Sequence, residues 1–153
     1  MPKLLPLRRL PAPTRTSISS HHRSTSTIRS RPQNKLPASY YRGGTSRAII
    51  FNSKDLPPDH TLWPDIFRGV IGSPDRNGRQ LDGLGGGISS LSKVCVVGPP
   101  KHDSEEVDVE FMFAAVGVRD GEVDFSSNCG NMSAAVGPFA FDHGLVRSVE
   151  VEW

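Results

Sequence analysis

Two side chains in this sequence stand where proton chemistry would put them. Cys129 lies between Asn128 and Gly130–Asn131, immediately ahead of an apolar stretch, Met132 to Phe141, that reads as a core helix. A helix N-terminus carries unpaired N–H groups and the positive end of the helix dipole, and both favour a thiolate over a thiol. The same amides suit a carboxylate, and Gly130 permits close backbone approach. A cysteine in such a place is also at home as a small buried hydrophobe. Lys93 follows Ser89, Ser90, Leu91 and Ser92 and stands at the mouth of an apolar strand, Val94–Val97. An ammonium partly stripped of water gives up its proton more readily and makes a usable base; the plainer alternative is a surface lysine at a strand start. Cys95, inside that strand, reads as core.

The third chemical feature is the stretch from Gly72 to Gly87, GSPDRNGRQLDGLGGG, with six glycines in sixteen residues and no helical or strand period. A structureless loop of this length in a compact domain is usually functional or disordered, and its mixture of Asp75, Arg76, Arg79, Gln80 and Asp82 argues for function. Gly83 to Gly87 could cradle an anion with successive amides. It is no P-loop, because the Gly-Lys-Ser/Thr ending is missing, and it forms no G-x-G-x-x-G at a strand-to-helix turn. No nucleotide cofactor is therefore expected. His60, His102 and His143 have no ligand spacing, so no metal is expected either.

The elements that must position these groups can be read in outline. Tyr40 to Arg47 reads as a glycine turn feeding a short buried strand, Ala48 to Phe51. Thr61 to Ile71 reads as a short helix, with Pro64 in its first turn and Ile66, Phe67, Val70 and Ile71 at helical spacing. Val107, Val109, Phe111 and Phe113 alternate with Asp108, Glu110, Met112 and Ala114, which predicts a strand with the first set buried. Lys101 to Glu106 is a polar turn, and Asp120–Gly121 a hairpin turn with a return strand over Glu122 to Phe125. Gly144 is placed to stop the last helix, and Pro138 to kink it. Val149 to Trp153 reads as the opening of a further strand, which predicts that a longer protein continues the fold.

Composition permits a packed core: 36% of the 153 residues are hydrophobic, and no apolar run approaches the roughly 18 residues needed to cross a bilayer, so no membrane role is expected. The net charge of +2 conceals a division. Residues 1–35 hold eight Lys or Arg, ten Ser or Thr and no acid; residues 36–153 hold ten bases against sixteen acids. A segment without acids and with few apolar groups cannot bury enough surface to offset its ordering entropy. Residues 1–35 are therefore expected to be a disordered basic leader of the organelle transit-peptide kind, directing the protein to mitochondria; a leader without that role would leave a cytoplasmic protein. The leader has no aromatic residue for base stacking and the body is acidic, so nucleic acid is not an expected partner.

Five motifs in order, RGGTS at 42–46, GSPD at 72–75, QLDGLGGG at 80–87, SK at 92–93 and NCGNM at 128–132, resemble the PrpF family. The resemblance covers about residues 38–146. It implies an α/β (α+β) fold like that of diaminopimelate epimerase, in which two similar halves each wrap a curved, mostly antiparallel sheet around a central helix. Residues 36–153 would be the N-terminal one of those halves. The family's chemistry is cofactor-independent proton transfer that moves or isomerises a C=C bond in an unsaturated di- or tricarboxylic acid, such as 2-methylaconitate in the methylcitrate pathway of propionate catabolism. The resemblance puts the acid and base at Lys93 and Cys129. It puts substrate contacts at Thr45, Ser46, Asp82, Gly85, Gly86, Gly87, Ser89, Gly130, Asn131 and Met132. Arg47 departs from the family's usual lysine, and Leu91 from its common threonine.

With a single half present, a pocket between halves would have one wall, and this chain alone is expected to be weakly active or inactive. The alternative of a different class is a non-catalytic accessory or interaction protein of the same pathway. Its exposed half-interface would seek a missing second half or another copy of itself.

Overall fold

The structure is a computed structural model and describes residues 35–101 and 107–146. The predicted leader (Lys35 apart), the closing segment at 149–153 and most of the Lys101–Glu106 turn lie outside the described residues.

A five-stranded sheet carries the domain, with its strands in sequence order: β1 (Ser39–Gly43), β2 (Ser46–Asn52), β3 (Lys93–Gly98), β4 (Glu110–Val116) and β5 (Val123–Asp124). Among the described residues only β2 and β3 pair in parallel, so the sheet is mostly antiparallel, as expected. The parallel pair needs a crossover, and α1 (Trp63–Ile71) with the glycine-rich loop supplies it. The second helix, α2 (Gly130–Asp142), follows β5.

The two helices take opposite faces of the sheet. Ile49, Phe51, Val94, Val96, Ala114 and Val116 pack with Trp63, Phe67 and Ile71 of α1. Ala48, Ile50, Cys95, Val97 and Phe113 pack with Met132, Ala135, Val136 and Phe139 of α2. Both faces of β2 and β3 are covered, which is why those strands read as continuous apolar runs rather than as alternations. Helix α1 presents Trp63, Phe67 and Ile71 at steps of four residues, and Ile66 and Val70 flank that stripe. Gly72, at φ 82°, ends it in the left-handed conformation.

Several expectations need correction. Tyr40 to Arg47 is not merely a turn before a strand: Ser39–Gly43 is itself an edge strand, joined to β2 through Gly44–Thr45 with Gly44 at φ 54°. In β4 the face with Val107, Val109, Phe111 and Phe113 is not uniformly buried. The strand begins at Glu110; Val107 is 44% and Phe111 39% exposed, and Phe113 is buried. Alternation predicts which side a residue faces, but burial needs something on that side, and α2 covers the β4 face at Phe113. The opposite set is not free either, because Ala114 and Met112 lie on the α1 side. Helix α2 runs from Gly130 through Pro138 to Asp142. It ends as foreseen at Gly144 (φ 65°), where Leu145 N–H donates to Ala140 O and Gly144 N–H to Phe141 O, the paired bonds of a Schellman motif.

Candidate active site

The start of β2, the start of β3 and the N-terminus of α2 meet at one end of the sheet. Residues paired across the ladder share a face. Lys93 pairs with Ala48 on one side and Ala115 on the other, so its side chain rises on the α2 face, as do Cys95 and Ser46 two positions along their strands. Cys129 is the N-cap residue of α2, and its carbonyl accepts the Met132 and Ser133 N–H groups. The strand ladder and the helix start thus bring Lys93 and Cys129, 36 positions apart in sequence, onto a common face.

The electrostatics there favour a thiolate. Burial pushes the Cys129 thiol up, but other groups outweigh it: the Met132 N–H, the Ser46 hydroxyl, the Lys93 ammonium and the Asn131 N–H together hold it below its ordinary value. Cys95 behaves oppositely. Burial first, and the neighbouring Cys129 charge second, raise it to about 12, so it stays a neutral core thiol. The Lys93 ammonium lies over the Phe113 ring, 5.1 Å from its centroid, a cation–π contact that keeps the charge on this face.

A hydrogen-bonded chain closes the site. Asn131 Nδ2 donates to Thr45 Oγ1 (3.1 Å) and to Ser46 Oγ (3.3 Å), and Ser46 Oγ lies 3.9 Å from Cys129 Sγ. The glycine pair of the β1–β2 hairpin makes this approach feasible. A Cβ on Gly43 would sit 1.8 Å from the Asn131 carbonyl oxygen, and one on Gly44 would sit 2.6 Å from Asn131 Oδ1.

The remaining sequence candidates are placed differently. Gly130 borders open space, and Met132 is fully buried, so only its backbone faces the thiol. The glycine-rich loop reaches the same sheet end, through the 3-10 turn Ser89–Leu91 that leads into β3. Among the described residues no hydrogen bond links Asp82, Gly85, Gly86, Gly87 or Ser89 to Cys129 or Asn131. Four of its amides are taken up within the protein. Gly83 N–H donates to Gln80 O, Leu84 N–H to Val70 O, Gly85 N–H to Ile71 O and Gly87 N–H to Gln80 Oε1. The loop thus satisfies the carbonyls that end α1.

Two of the loop's polar residues that were expected to serve function, Asp75 and Gln80, hold the loop together. The Asp75 carboxylate accepts from the N–H groups of Asn77, Gln80 and Arg79, which hold it below the usual carboxylate range. Gln80 is 1% exposed; its Oε1 accepts from Gly87 N–H and Ser92 Oγ–H, and its Nε2 donates to Ser73 Oγ. Phe113, under the Lys93 ammonium, is the residue near the site whose part sequence reasoning missed, because its pattern is that of any strand aromatic. A cavity of about 570 Å³ opens beside Ser53, Gly98, Glu110 and Trp63 and takes in Phe113 and Asn128, but neither Lys93 nor Cys129 lines it.

The family described as PrpF protein matches residues 33–151. The chain is 43% identical over 116 residues to the putative isomerase YraM of Bacillus subtilis, a match spanning 76% of this chain and 30% of that protein. It is 42% identical over 118 residues to the 3-methylitaconate isomerase of Eubacterium barkeri, spanning 77% and 30%. It is 44% identical over 124 residues to the 2-methyl-aconitate isomerase of Cupriavidus necator, spanning 78% and 31%. A crystal structure of methylitaconate-delta-isomerase superposes with a TM-score of 0.69 at 43% identity, covering 75% of this chain and 29% of that one. The chain thus spans about 30% of the length of the curated relatives it matches.

Proposed function

The chain belongs to the PrpF family, and from that premise we propose that it carries the proton-transfer pair of a cofactor-independent isomerase acting on an unsaturated di- or tricarboxylic acid. The observation that carries this reading is the convergence of Lys93 and Cys129 on one face at one sheet end, with the ammonium close enough to favour the thiolate.

The chemistry follows from the charges. The Cys129 thiolate removes a proton from a carbon next to the alkene, and the electron pair delocalises through the double bond onto the conjugated carboxylate. The Lys93 ammonium returns a proton, either to the far carbon of the allylic system, which shifts the double bond, or to the original carbon after rotation, which changes its geometry; exchange with water then takes the proton from the Cys129 thiol and restores the Lys93 ammonium. The N-terminal amides of α2 and the Lys93 charge stabilise the carboxylate as negative charge builds on it. In this reading Thr45, exposed at the hairpin tip beside Asn131, and Gly130 contact a substrate carboxylate.

Lys93 and Cys129 are only partly covered, so water reaches the site and weakens every dipole in it. Weak turnover by this chain is the expected consequence. Ultraviolet absorbance of 2-methylaconitate or 3-methylitaconate should show slow isomerisation that Cys129→Ala and Lys93→Ala each abolish, and the same acids should protect Cys129 from alkylation. Turnover that survives both substitutions, or the absence of both turnover and protection, would refute the assignment.

A second reading, binding rather than catalysis, draws on Leu81, Leu84 and Ile88, exposed by 77%, 57% and 55% on a loop tied down at Gln80 and at the end of α1. A protein that sediments as a monomer and retains no partner on purification counts against it.

A further inference from the structure

Asn131 was expected among the substrate contacts, and its side-chain amide also has partners within the protein. Its Nδ2 donates to Thr45 Oγ1 and to Ser46 Oγ. A hydroxyl that accepts from an amide keeps a single proton, and the acceptor within reach of the Ser46 hydroxyl is Cys129 Sγ at 3.9 Å. Ser46 is itself 3% exposed, so solvent does not compete for that proton. When Cys129 is a thiolate it has no proton to give, and the Ser46 hydroxyl must be the donor.

We propose that Asn131 is a positioning residue that acts through Ser46: it holds the Ser46 hydroxyl with its proton aimed at Cys129 Sγ and so sets the fraction of Cys129 present as thiolate. The proposal deepens the isomerase reading by adding a residue to the same site. It concerns the thiol alone, however, and holds or fails whether or not the chain turns over any acid. The groups facing the thiol are the Ser46 hydroxyl from β2, the Lys93 ammonium from β3, Cys95 beneath, and the Asn131 and Met132 N–H groups of α2. Asn131→Ala removes the side-chain amide and leaves the backbone N–H and Lys93 in place. Gly43 and Gly44 fit the arrangement, since a Cβ on either would collide with Asn131 and displace the amide.

The test is the rate of alkylation of Cys129 by iodoacetamide across pH, which reports the thiolate directly. Cys95 is fully buried and its thiol lies near 12, so it does not contribute. At neutral pH, Asn131→Ala and Ser46→Ala should each slow alkylation about three- to tenfold, the range for losing one ordinary side-chain hydrogen bond. Both pH profiles should move to higher pH. The double variant should be no slower than Ser46→Ala, because an Asn131 that acts through Ser46 has nothing left to position. Asn131→Asp, which loses the donor and offers the Ser46 proton a competing acceptor, should also slow alkylation. An unchanged profile for Asn131→Ala overturns the proposal. So does an equal slowing by Asn131→Ala with and without the Ser46 hydroxyl, which would mean a direct or merely structural effect. Unfolding midpoints near that of the parent chain qualify each variant for the comparison.

Discussion

Gln80→Ala removes a side chain that is 1% exposed and makes three hydrogen bonds, each 2.8 Å long. The losses are unequal. Ser92 Oγ also reaches Ile88 O at 2.8 Å, so its proton has another acceptor and the loss there is small. Gly87 N–H keeps no partner, and an orphaned, half-buried amide costs about 1–3 kcal/mol. The bond to Ser73 Oγ adds about 1 kcal/mol. The sum is about 2–4 kcal/mol, a large share of the stability of a domain this size. At a urea slope of about 1–1.5 kcal/mol/M the midpoint should fall by about 2 M.

Gln80 also stands at φ 54°, a conformation that costs a side chain energy and glycine none. Gln80→Gly loses the same bonds but relieves that strain. It should therefore unfold about 0.5–1 kcal/mol later than Gln80→Ala, although glycine ordinarily destabilises relative to alanine. Urea unfolding followed by far-ultraviolet circular dichroism measures all three chains. An alanine variant within about 0.5 kcal/mol of the parent would show that the side chain does not fasten the loop. An alanine variant at least as stable as the glycine one would show that the backbone at residue 80 is unstrained.

Two further outcomes follow from the geometry around α2. The Tyr41 hydroxyl donates to Asp142; that bond first, then burial and the Asp142 charge, raise the phenol to about 12. The folded value lies above the unfolded one near 10, so the stabilisation is fully present below about pH 10 and is lost as pH rises toward 12. Absorbance titration at 295 nm should show a phenolate step near 12 that Tyr41→Phe removes, and a step confined to the ordinary range would refute the contact. Gly43→Ala puts a methyl 1.8 Å from the Asn131 carbonyl oxygen, so β1 and the start of α2 must separate. The expected cost is about 1–3 kcal/mol, read as a lower midpoint in urea, and an unchanged midpoint would show that the two backbones do not meet.

How far this was legible in the sequence can be seen element by element. The stripe at Phe67 and Ile71 is a period of 3.6 written into neighbouring residues, and the helix is where it was expected. The apolar run Val94–Val97 announced a strand covered on both faces, and Cys129 ahead of an apolar segment announced a thiol at a helix start. Strand β1 was not legible as a strand. An edge strand reading SYYRG buries little, and the propensity of two tyrosines is decided by its pairing with β2. The burial of Phe111 was misread because alternation names a side of the sheet and not what lies on it.

For the site the division is the same. Residue types and local spacing were sufficient to single out Lys93 and Cys129, because a thiol before a helix and a lysine before a buried strand are local facts. Tertiary structure alone decided that the two share a face. That depends on the parallel register of β2 with β3 and on α2 lying across that side of the sheet, both set by contacts between distant segments. Tertiary structure also decided the part taken by Asp75, Gln80 and the loop glycines. The glycines suggested an anion cradle and the polar residues a function, but a backbone amide or a carboxylate binds whichever partner packing brings within about 3 Å. Here packing brought the open carbonyls of α1 and the loop's own amides. A sequence shows which groups can form hydrogen bonds; which of them remain free for a ligand is settled only when the chain has satisfied its own.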